Sequence, residues 1–507
     1  MSQFQVEIAK TLAEKAVSTA ATGSKINLYN TNEICQLVMV VWAIGLNAVP
    51  GIGSIVFGLV TVLSAILFPA PKPVDPWIQV RERIENLVGT RLQEYQVRSI
   101  QAKSEGIRRN AEEYSNVMKL YSEAKTPEEK GKYHALIQNY HTGLLILLRS
   151  SIPELQTAYY AAITLPLFAQ AANLHLSLLA EGINHGLEWG FSDKYVTQVL
   201  PDEFRRLNSS GLSARDLSTS QGPADDMTLT LAKTAIDTAE ALGVPPGLVL
   251  LWKEAYATLV SDFATRTKRD FIDYVSHAKK TYAEGRKQVQ PYDHRLVPSL
   301  SGLDKGTKEA SAMRAYADYD TEMLDSVLKY VEFWPVLDGK ANLSESALRS
   351  LDREVFFGPY GRWTKSVLWS ADAPAAISER RPKMTSIVIC AADNVLMLAV
   401  RYRDRNWPDD DGQCLKKAHW QEFSLEDDEY IENVDVRYGH KLGQLTFTTN
   451  KGKVHGPYGR AKHADLSVSV NRTGYSLSYM RGTRYVYKEP EGLEGISFGF
   501  RPLLTAG

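Results

Sequence analysis

The chain has 507 residues, and its 58 basic and 59 acidic side chains give a formal net charge of −1 at pH 7. This length exceeds that of one ordinary hydrophobic core, so we expect two or more domains. The balance of charge gives no reason to expect nucleic acid as an electrostatic partner. Cys35, Cys390 and Cys414 show no paired spacing, and they predict neither a disulfide framework nor a zinc site.

The sequence also indicates what kind of activity to expect. The first residues lack the basic flank and apolar stretch of a secretory signal, so no signal peptide is expected. There is no H-E-x-x-H, G-x-S-x-G, P-loop or dinucleotide-binding pattern. We therefore expect a protein that is not an enzyme, with no catalytic residues, no metal and no cofactor.

Up to about residue 345, apolar side chains recur at helical spacing. The pattern predicts one long helix from Trp77 to Ser122. Its predicted buried stripe consists of Leu87, Val88, Leu92 and Tyr95. A loop over residues 208–226 is followed by another helical block and a further helix through Trp252 and Tyr256.

After about residue 350 the period changes to two, which indicates an all-β part. Leu466–Val470 and Tyr475–Tyr479 alternate with serines across a turn and predict a β-hairpin with one wet face. Further strands are predicted at Ser386–Cys390, Val395–Tyr402, Tyr430–Tyr438, Leu442–Thr448 and Ile496–Phe500.

Three long segments contain no Asp, Glu, Lys or Arg: Ile34–Pro71, Tyr133–Leu148 and Leu155–Ala180. Such helices are either surrounded by other helices or able to enter a bilayer. Only six residues separate the second segment from the third, which predicts an antiparallel helical hairpin. The hairpin can be buried first and inserted later, provided something releases it. Its polar side chains are tolerable only against protein or water.

The same region resembles a known family. The stretch AQAANLHLSLLAEGINHGLEWGF resembles the central-helix block of the three-domain insecticidal delta-endotoxins, the Cry toxins. Three further blocks resemble that family in the expected order: VPGIGSIVFGLVTVLSAILFP followed by Asp75-Pro76-Trp77, YADYDTEMLDSVLKYVEFWPVLD, and Leu351 to Phe356.

The β half carries a second resemblance. Phe423–Gly459 and Gly492–Phe500 are similar to jacalin-related lectins, whose sheets form a β-prism. The second domain of the endotoxins is also a β-prism, so the two resemblances agree. The G-x-x-x-D pattern of mannose-binding jacalins is changed here, with Pro490 in place of Gly and Glu494 in place of Asp.

Together the resemblances imply a multidomain α and β protein. Residues 1–345 are expected to form a pore-forming N-terminal α-helical bundle, with an extra helical insertion around 193–263. Residues 346–507 are expected to form an all-β, jacalin-like β-prism that binds a receptor or carbohydrate. The third domain of the endotoxins is expected to be lacking.

The function that the resemblance implies is that of an insecticidal pore-forming toxin. It would bind a membrane glycoprotein or glycan receptor on gut epithelial cells and be activated by a gut protease. It would then form a homo-oligomer on the membrane and lyse the target cell by inserting the hairpin. We expect a soluble or crystalline protoxin in the producing cell that acts outside it. The alternative is a jacalin-like, carbohydrate-binding defence lectin whose helical part only oligomerises the protein.

Two sets of site residues follow from these expectations. The polar residues of the hairpin would face the pore lumen or neighbouring protomers, or be hydrogen-bonded in the closed bundle: Asn139, His141, Gln170, Asn173 and His175. Receptor or sugar binding is predicted for a polar loop and for residues near the prism ends: Trp407, Asp409, Asp410, Tyr458, Arg484, Tyr485, Tyr487 and Glu494. A run of aspartates is equally typical of a solvated turn.

Overall fold

The structure is a computed structural model, and the part of the chain that it describes forms two compact units. It describes residues 76–208, single positions and short runs between 233 and 257, 273–290, 305–337, 353–363, 367–370, 383–402, 405–407, 418–461, 464–472, 474–487 and 489–503. The first charge-free segment, Ile34–Pro71, lies outside these residues. So does most of the predicted insertion between 209 and 263.

The first unit is helical. Its helices are α1 (Pro76–Val88), α2 (Glu94–Glu123), α3 (Pro127–Leu155), α4 (Ala161–His185), α5 (Leu200–Asn208), α6 (Tyr274–Gln288) and a short α8 (Lys329–Val331). The last two residues of α1 and the last residue of α6 are assigned to the second unit. A π-helical turn, Tyr195–Val199, precedes α5, and a 3-10 turn, Trp334–Val336, follows α8.

In the part of the chain that the structure describes, the second unit contains one complete helix and the strands. The helix is α7 (Lys305–Met323), and a π-helical turn, Leu324–Leu328, connects it to α8. α7 therefore groups with the β part, although it precedes the predicted boundary at residues 345 and 346. That boundary stays a prediction.

The long helix predicted from Trp77 to Ser122 is wrong in one respect, because it is broken between α1 and α2. Gly89 adopts a φ of 70°, a left-handed conformation that ends the first helix. The break changes the direction of the following side chains. Leu87, Val88 and Leu92 are buried as predicted, whereas Tyr95 is 71% exposed.

Helix α4 is surrounded by protein along almost its whole length. Its side chains from Ala161 to Gly182 are buried with one exception, Gln170, which is half-buried. Among the described helices, α4 is the one that is long and apolar enough to cross a membrane, and 94% of its most apolar stretch is buried. The absence of charge in Leu155–Ala180 therefore reflects a helix that meets no water in this state.

The predicted hairpin is confirmed as α3 and α4, two adjacent helices separated by the short turn 156–160. The start of α3 is fixed by a capping box, in which Thr126 Oγ1 accepts from the Glu129 backbone N–H and Glu129 reaches back to the Thr126 N–H. The imidazole of His141 meets the Leu178 carbonyl at 2.9 Å, which sets the antiparallel register.

The β part of the second unit consists of three four-stranded antiparallel sheets. The first has the order β1 (Val355–Gly361), β12 (Glu489–Pro502), β11 (Tyr475–Tyr487) and β2 (Val367–Ser370). The second has the order β10 (Leu466–Asn471), β7 (Ile431–Tyr438), β8 (Leu442–Thr449) and β9 (Val454–Tyr458). The third has the order β5 (Arg405–Trp407), β4 (Val395–Tyr402), β3 (Met384–Ala391) and β6 (His419–Ser424).

All three sheets contribute to one hydrophobic core, as a β-prism requires. Phe498 comes from the first sheet, Phe447 from the second and Leu398 from the third, and all three are fully buried. The alternation of apolar and polar residues that predicted the strands places every second side chain in this core. The fold class predicted from the sequence, a helical bundle followed by a β-prism, is confirmed.

The predicted hairpin of Leu466–Val470 with Tyr475–Tyr479 is wrong, although both strands exist. β10 pairs with β7 in the second sheet, whereas β11 pairs with β12 and β2 in the first sheet. The turn between them therefore passes from one sheet to the next. Period-two spacing identifies a strand and its buried face, but it does not identify the partner strand.

The sequence predicted no disulfide framework, and it did not indicate the one disulfide bond that the structure assigns to Cys390. Cys390 on β3 is disulfide-bonded and fully buried. The spacing of the three cysteines along the chain did not indicate this bond.

The packing of α3 against residues 252–257 leads to a first test. A Cβ atom at Gly143 would lie 2.4 Å from Trp252 Cε2, whereas one at Gly131 on the same helix would meet no atom within 4 Å. We expect Gly143→Ala to lower the free energy of unfolding by about 1–3 kcal/mol through overpacking. Gly131→Ala should raise it by about 0.5–1 kcal/mol through helix propensity. Urea denaturation of both variants measures these changes, and equal effects would contradict the packing.

Candidate functional site: buried polar groups of the helical hairpin

The five polar residues predicted on the hairpin all lie on α3 and α4. Asn139, His141, Asn173 and His175 have at most 5% of their surface exposed, and Gln170 is half-buried. Each must find its hydrogen bonds inside the protein or leave a polar atom unpaired at a free-energy cost. Their partners show how the hairpin is held.

His141 is enclosed by aromatic rings. Tyr114, Trp189 and Phe191 have ring centroids within 5.5–5.9 Å of its imidazole. Burial lowers the pKa of His141 to about 4, although the contact of Nε2 with the Leu178 carbonyl opposes that shift. The imidazole is therefore neutral in the closed bundle at neutral pH, and its Nδ1 has no hydrogen-bond partner.

His175 belongs to a second group that connects α4 with α5 and α6. Its Nδ1 lies 2.8 Å from the Tyr274 hydroxyl, and its Nε2 lies 3.4 Å from Glu203 Oε1. Burial lowers the pKa of His175, so the ring is neutral in the closed bundle at neutral pH.

Glu203 and Arg149 form a buried ion pair beside His175. Arg149 Nε donates to Glu203 Oε1 at 2.5 Å, and Nη2 donates to the other carboxylate oxygen. Burial alone would raise the pKa of Glu203, but the charge of Arg149 and the contact with His175 outweigh burial and hold it well below its usual range. The pair ties α3, on the hairpin, to α5, which lies outside it.

Asn173 and Asn139 differ in how well they are satisfied. Asn173 Oδ1 accepts from the Trp334 indole N–H at 2.5 Å, while its Nδ2 has no partner. Asn139 Nδ2 is buried and also has no partner. Each amide therefore has an N–H donor without a hydrogen-bond partner among the described residues.

The sequence prediction did not select Glu181, which the structure places at the centre of this region. Glu181 is 1% exposed on α4, and its Oε2 accepts from the Tyr114 hydroxyl of α2 at 3.0 Å. Burial raises the pKa of Glu181 to about 8, and the Tyr114 hydrogen bond only partly offsets this. A signal was present in the sequence, because Glu181 is the first charged residue after the segment Leu155–Ala180.

The residues predicted for receptor binding do not form one site. Arg484, Tyr485, Tyr487 and Glu494 lie on the end of the β11–β12 hairpin, where Gly492 approaches Asn394 just before β4. Trp407 pairs with Val400 near the other end of β4, five residues further along the strand. At about 3.3 Å per residue this separates Trp407 from the hairpin end by roughly 16 Å.

Two of these predicted residues are buried. Tyr458 is 7% exposed and stacks near Phe423 in the prism core. Glu494 is 3% exposed and pairs with Arg362 at 3.1 Å. Both differ from the surface positions that the sequence prediction assumed, because their strands turn these side chains inward. Asp409 and Asp410 lie outside the described residues.

Among the described residues, no three His, Cys, Asp or Glu side chains are grouped as ligands for a metal ion.

Comparison with known proteins agrees with this division into a helical and a β part. Residues 40–210 match the family model of the delta endotoxin N-terminal domain, and residues 357–487 match that of the jacalin-like lectin domain. Pesticidal crystal protein Cry7Ab of Bacillus thuringiensis subsp. dakota is 26% identical over 150 residues, 30% of this chain and 13% of that protein. Pesticidal crystal protein Cry1Db of Bacillus thuringiensis is 29% identical over 165 residues, 32% of this chain and 13% of that protein.

Solved structures resemble the chain over most of its length. The Bacillus thuringiensis insecticidal crystal protein Cry7Ca1 has a TM-score of 0.54 at 15% identity, over 94% of this chain and 75% of that chain. A Bacillus thuringiensis Cry1Da tryptic core variant has a TM-score of 0.54 at 14% identity, over 95% and 74%. At such identities the likeness shows the fold alone.

The fold and the matching families define a helical delta-endotoxin domain followed by a jacalin-like β-prism. In both domains the chain is similar to Cry-type delta-endotoxins or to jacalin-like lectins: its helical part matches the delta endotoxin N-terminal domain and its β part matches the jacalin-like lectin domain. The matched segments span only 13% of the length of the curated relatives described above.

The buried ion pair can be tested by a double-mutant cycle. We expect Arg149→Met to lower the free energy of unfolding by about 3–5 kcal/mol, because it leaves the carboxylate of Glu203 buried without its partner. Arg149→Met combined with Glu203→Gln should cost clearly less than the sum of the two single variants. Urea denaturation at neutral pH measures all three, and strict additivity would contradict the pairing.

Glu181 predicts a specific pH dependence of stability. Its pKa is 4.5 in the unfolded chain and about 8 in the closed bundle, so the folded state keeps a proton that the unfolded state loses between these pH values. The contribution of Glu181 to stability is fully present below pH 4.5 and is lost as the pH rises towards 8, by at most about 1.4 kcal/mol per pH unit.

We therefore expect the unfolding free energy of the wild type, relative to that of Glu181→Gln, to fall as the pH rises from 4.5 to 8 and to be constant above pH 8. Denaturation at a series of pH values measures the difference. Glu128→Gln, which changes an exposed carboxyl at the start of α3, is the matched control. A difference independent of pH would show that Glu181 is not protonated in the bundle.

Proposed function

We propose that the chain is an insecticidal pore-forming toxin that acts without catalysis. Its β-prism attaches it to a target cell, and the hairpin α3–α4 leaves the bundle and enters the membrane. The observation that carries this proposal is the state of α4, a helix long enough to span a bilayer and enclosed by protein along its length. The match of residues 40–210 to the delta endotoxin N-terminal domain supports the same function.

The contacts of the hairpin support a release in one piece. α4 is held from outside the hairpin by three hydrogen-bonding contacts, from Glu181 to Tyr114, from His175 to Tyr274 and from Asn173 to Trp334. α3 adds the ion pair with Glu203. α3 is also held from outside by Glu154, which contacts Ser99 and Lys103 of α2, and by Gln138, which donates to the Trp189 carbonyl. Release of the hairpin breaks all of these polar contacts, while the contact of His141 with Leu178 stays within the hairpin.

A bilayer can replace the burial that the bundle provides. Each large apolar side chain of α4 contributes about 1.5–3 kcal/mol when it leaves water, whether protein or lipid surrounds it. The apolar side chains therefore favour neither environment strongly, and the polar contacts keep the hairpin in the bundle. Attachment to the cell surface, trimming by a gut protease and assembly into a homo-oligomer would shift this balance.

For attachment we propose the end of the prism formed by the β11–β12 hairpin. The jacalin-like family match supports recognition of a glycan or glycoprotein by the prism. Arg484 lies at this end, with Tyr485 and Tyr487 on the same strand. The carboxylate of Glu494 forms an ion pair with Arg362. A sugar bound at this end of the prism would therefore contact other side chains.

A reversible cross-link between α4 and α5 tests whether the hairpin must leave. A Cβ atom at Gly182 would lie 2.8 Å from Leu200 Cδ1, which makes these two positions neighbours across α4 and α5. Cysteines are placed at both, and formation of the disulfide is checked by the loss of free thiol on oxidation. We expect the oxidised variant Gly182→Cys/Leu200→Cys to release no dye from vesicles of insect gut membrane. Dithiothreitol should restore release.

The single variants Gly182→Cys and Leu200→Cys and the wild type, each with and without dithiothreitol, are the controls, because Cys390 is also disulfide-bonded. Full dye release by the oxidised double variant would refute insertion of the hairpin. Binding to the vesicles without release from any protein, before or after trypsin, would favour the carbohydrate-binding lectin instead.

A further inference from the structure

Several cationic side chains lie on the segments that meet at Trp363, at one end of the first sheet. The Trp363 N–H donates to the Gly306 carbonyl of α7 at 3.0 Å. Thr483 Oγ1 of β11 donates at 3.0 Å to the carbonyl of the residue before Trp363. These bonds join the end of β1, the start of α7 and β11. We call the following residues the cationic patch: Lys305, Arg362, Trp363, Arg481 and Arg484.

The acidic group at this place is turned inward. Glu494 is 3% exposed, and its Oε1 accepts from Arg362 Nη1 at 3.1 Å. The Arg362 N–H also donates to the Glu494 carbonyl at 2.9 Å. The side chain of Arg362 is 30% exposed, so its guanidinium is held in place by Glu494 and still reaches the surface. The position that holds Asp in the G-x-x-x-D pattern therefore presents a cation here.

The two arginines of β11 add charge beside Arg362. Arg481 is exposed, and its guanidinium lies 5.5 Å from the centre of the Trp363 ring rather than in an ion pair with a described residue. Arg484 pairs across the sheet with Leu493, the residue before Glu494. Its Nε is buried and has no hydrogen-bond partner among the described residues. Guanidinium donors are therefore still available for a ligand.

Lys305 supplies a further charge at the start of α7. Its side chain is 83% exposed and lies 3.9 Å from Glu309, a loose ion pair in water. The chain as a whole is close to neutral, so this concentration of positive charge is a local feature.

We propose that the cationic patch binds an anionic glycan, one that carries sulfate or carboxylate groups. This inference rests on the attachment role given to the prism under the proposed function, and it names the class of ligand. The planar guanidinium group matches the paired oxygens of such anions, and an indole ring can pack against the apolar face of a sugar. The jacalin-like match, residues 357–487, includes all three arginines and Trp363.

A glycan fits these residues better than an anionic lipid surface does. Trp363 is half-buried and lies against Arg481, so its ring is not placed to enter a bilayer. The fixed geometry of Arg362 on a buried carboxylate suits a ligand with defined oxygen positions.

The test is the affinity of the full chain for immobilised heparin, measured by surface plasmon resonance at physiological salt. We expect the wild type to bind heparin, to bind less at high salt, and not to bind neutral mannan. Arg481→Gln and Arg484→Gln should each weaken binding about fivefold, the effect of roughly one unit charge at contact distance in water. Arg437→Gln, which removes an exposed arginine of β7 in the second sheet, is the matched control and should bind as the wild type does.

Arg362 needs a double variant, because Arg362→Gln alone leaves the carboxylate of Glu494 buried without its partner. Arg362→Gln combined with Glu494→Gln removes both charges, and it should weaken heparin binding by a similar factor while its circular dichroism stays that of the wild type. A measurement on the wild type alone complements the variants. Soluble heparin should block attachment to vesicles of insect gut membrane, whereas mannan should not. Hyaluronan, which carries carboxylates without sulfates, shows whether carboxylates suffice.

Equal affinity of the wild type and the patch variants for heparin, or no affinity of any of them, would overturn the inference. Binding to phosphatidylserine vesicles that the patch variants lose, without binding to heparin or hyaluronan, would overturn it in favour of an anionic lipid. Each of these results leaves the pore intact if the trypsin-treated wild type still releases dye from gut-membrane vesicles. Heparin binding at the patch without any dye release would instead contradict the proposed function.

Discussion

The burial of α4 on every side is the constraint on which the structure of the helical unit depends. A helix without a charged residue from Ala161 to Ala180 cannot be exposed to water over its whole circumference, so other elements must cover it. α3 covers one side, Tyr274 and His277 of α6 meet Phe168 on another, and Trp334 closes a third. α3 is itself buried on every side from Asn139 to Leu148, so the two helices of the hairpin together form the centre of the helical unit.

Polar groups, rather than the apolar side chains, give this arrangement its specificity. Apolar burial has no direction, and lipid could supply it as well as protein. The hydrogen bonds of Glu181, His175 and Asn173 each need one particular partner, and these partners lie on three different elements. These directed hydrogen bonds thus determine where an otherwise apolar helix lies. They are few, so they can be broken together. This combination suits a protein that must be stable before it meets a membrane and able to change afterwards.

The part of the fold that follows from local pattern could be predicted, and the part that depends on long-range pairing could not. Period-two spacing located β4 to its residue boundaries, and the charge-free segments located the hairpin α3–α4. The same spacing paired β10 with β11 wrongly, because alternation contains no information on which strand is the neighbour. Glycine in a left-handed conformation ended α1 where the apolar period seemed to continue.

The candidate site shows the same limit. The sequence identified polar residues in an apolar hairpin, but not that His175 would meet Glu203, nor that Glu181 would be enclosed with Tyr114. These partners are far apart in the chain, and only the packing of α2, α5 and α6 around α4 brings them together. Tyr458 was expected on the surface of the prism, yet a single strand register decides whether a tyrosine faces the core or the solvent.

The most direct test of the central claim is to ask which residues touch lipid once the protein is on a membrane. Vesicles that contain a photoactivatable fatty-acyl reagent are incubated with the trypsin-treated protein, irradiated, and the labelled peptides are mapped by mass spectrometry. The account predicts strong labelling of Ala161–His185 and of the apolar part of α3, with little labelling of the prism strands. Membrane-bound protein that permeabilises the vesicles while α4 remains unlabelled would contradict it.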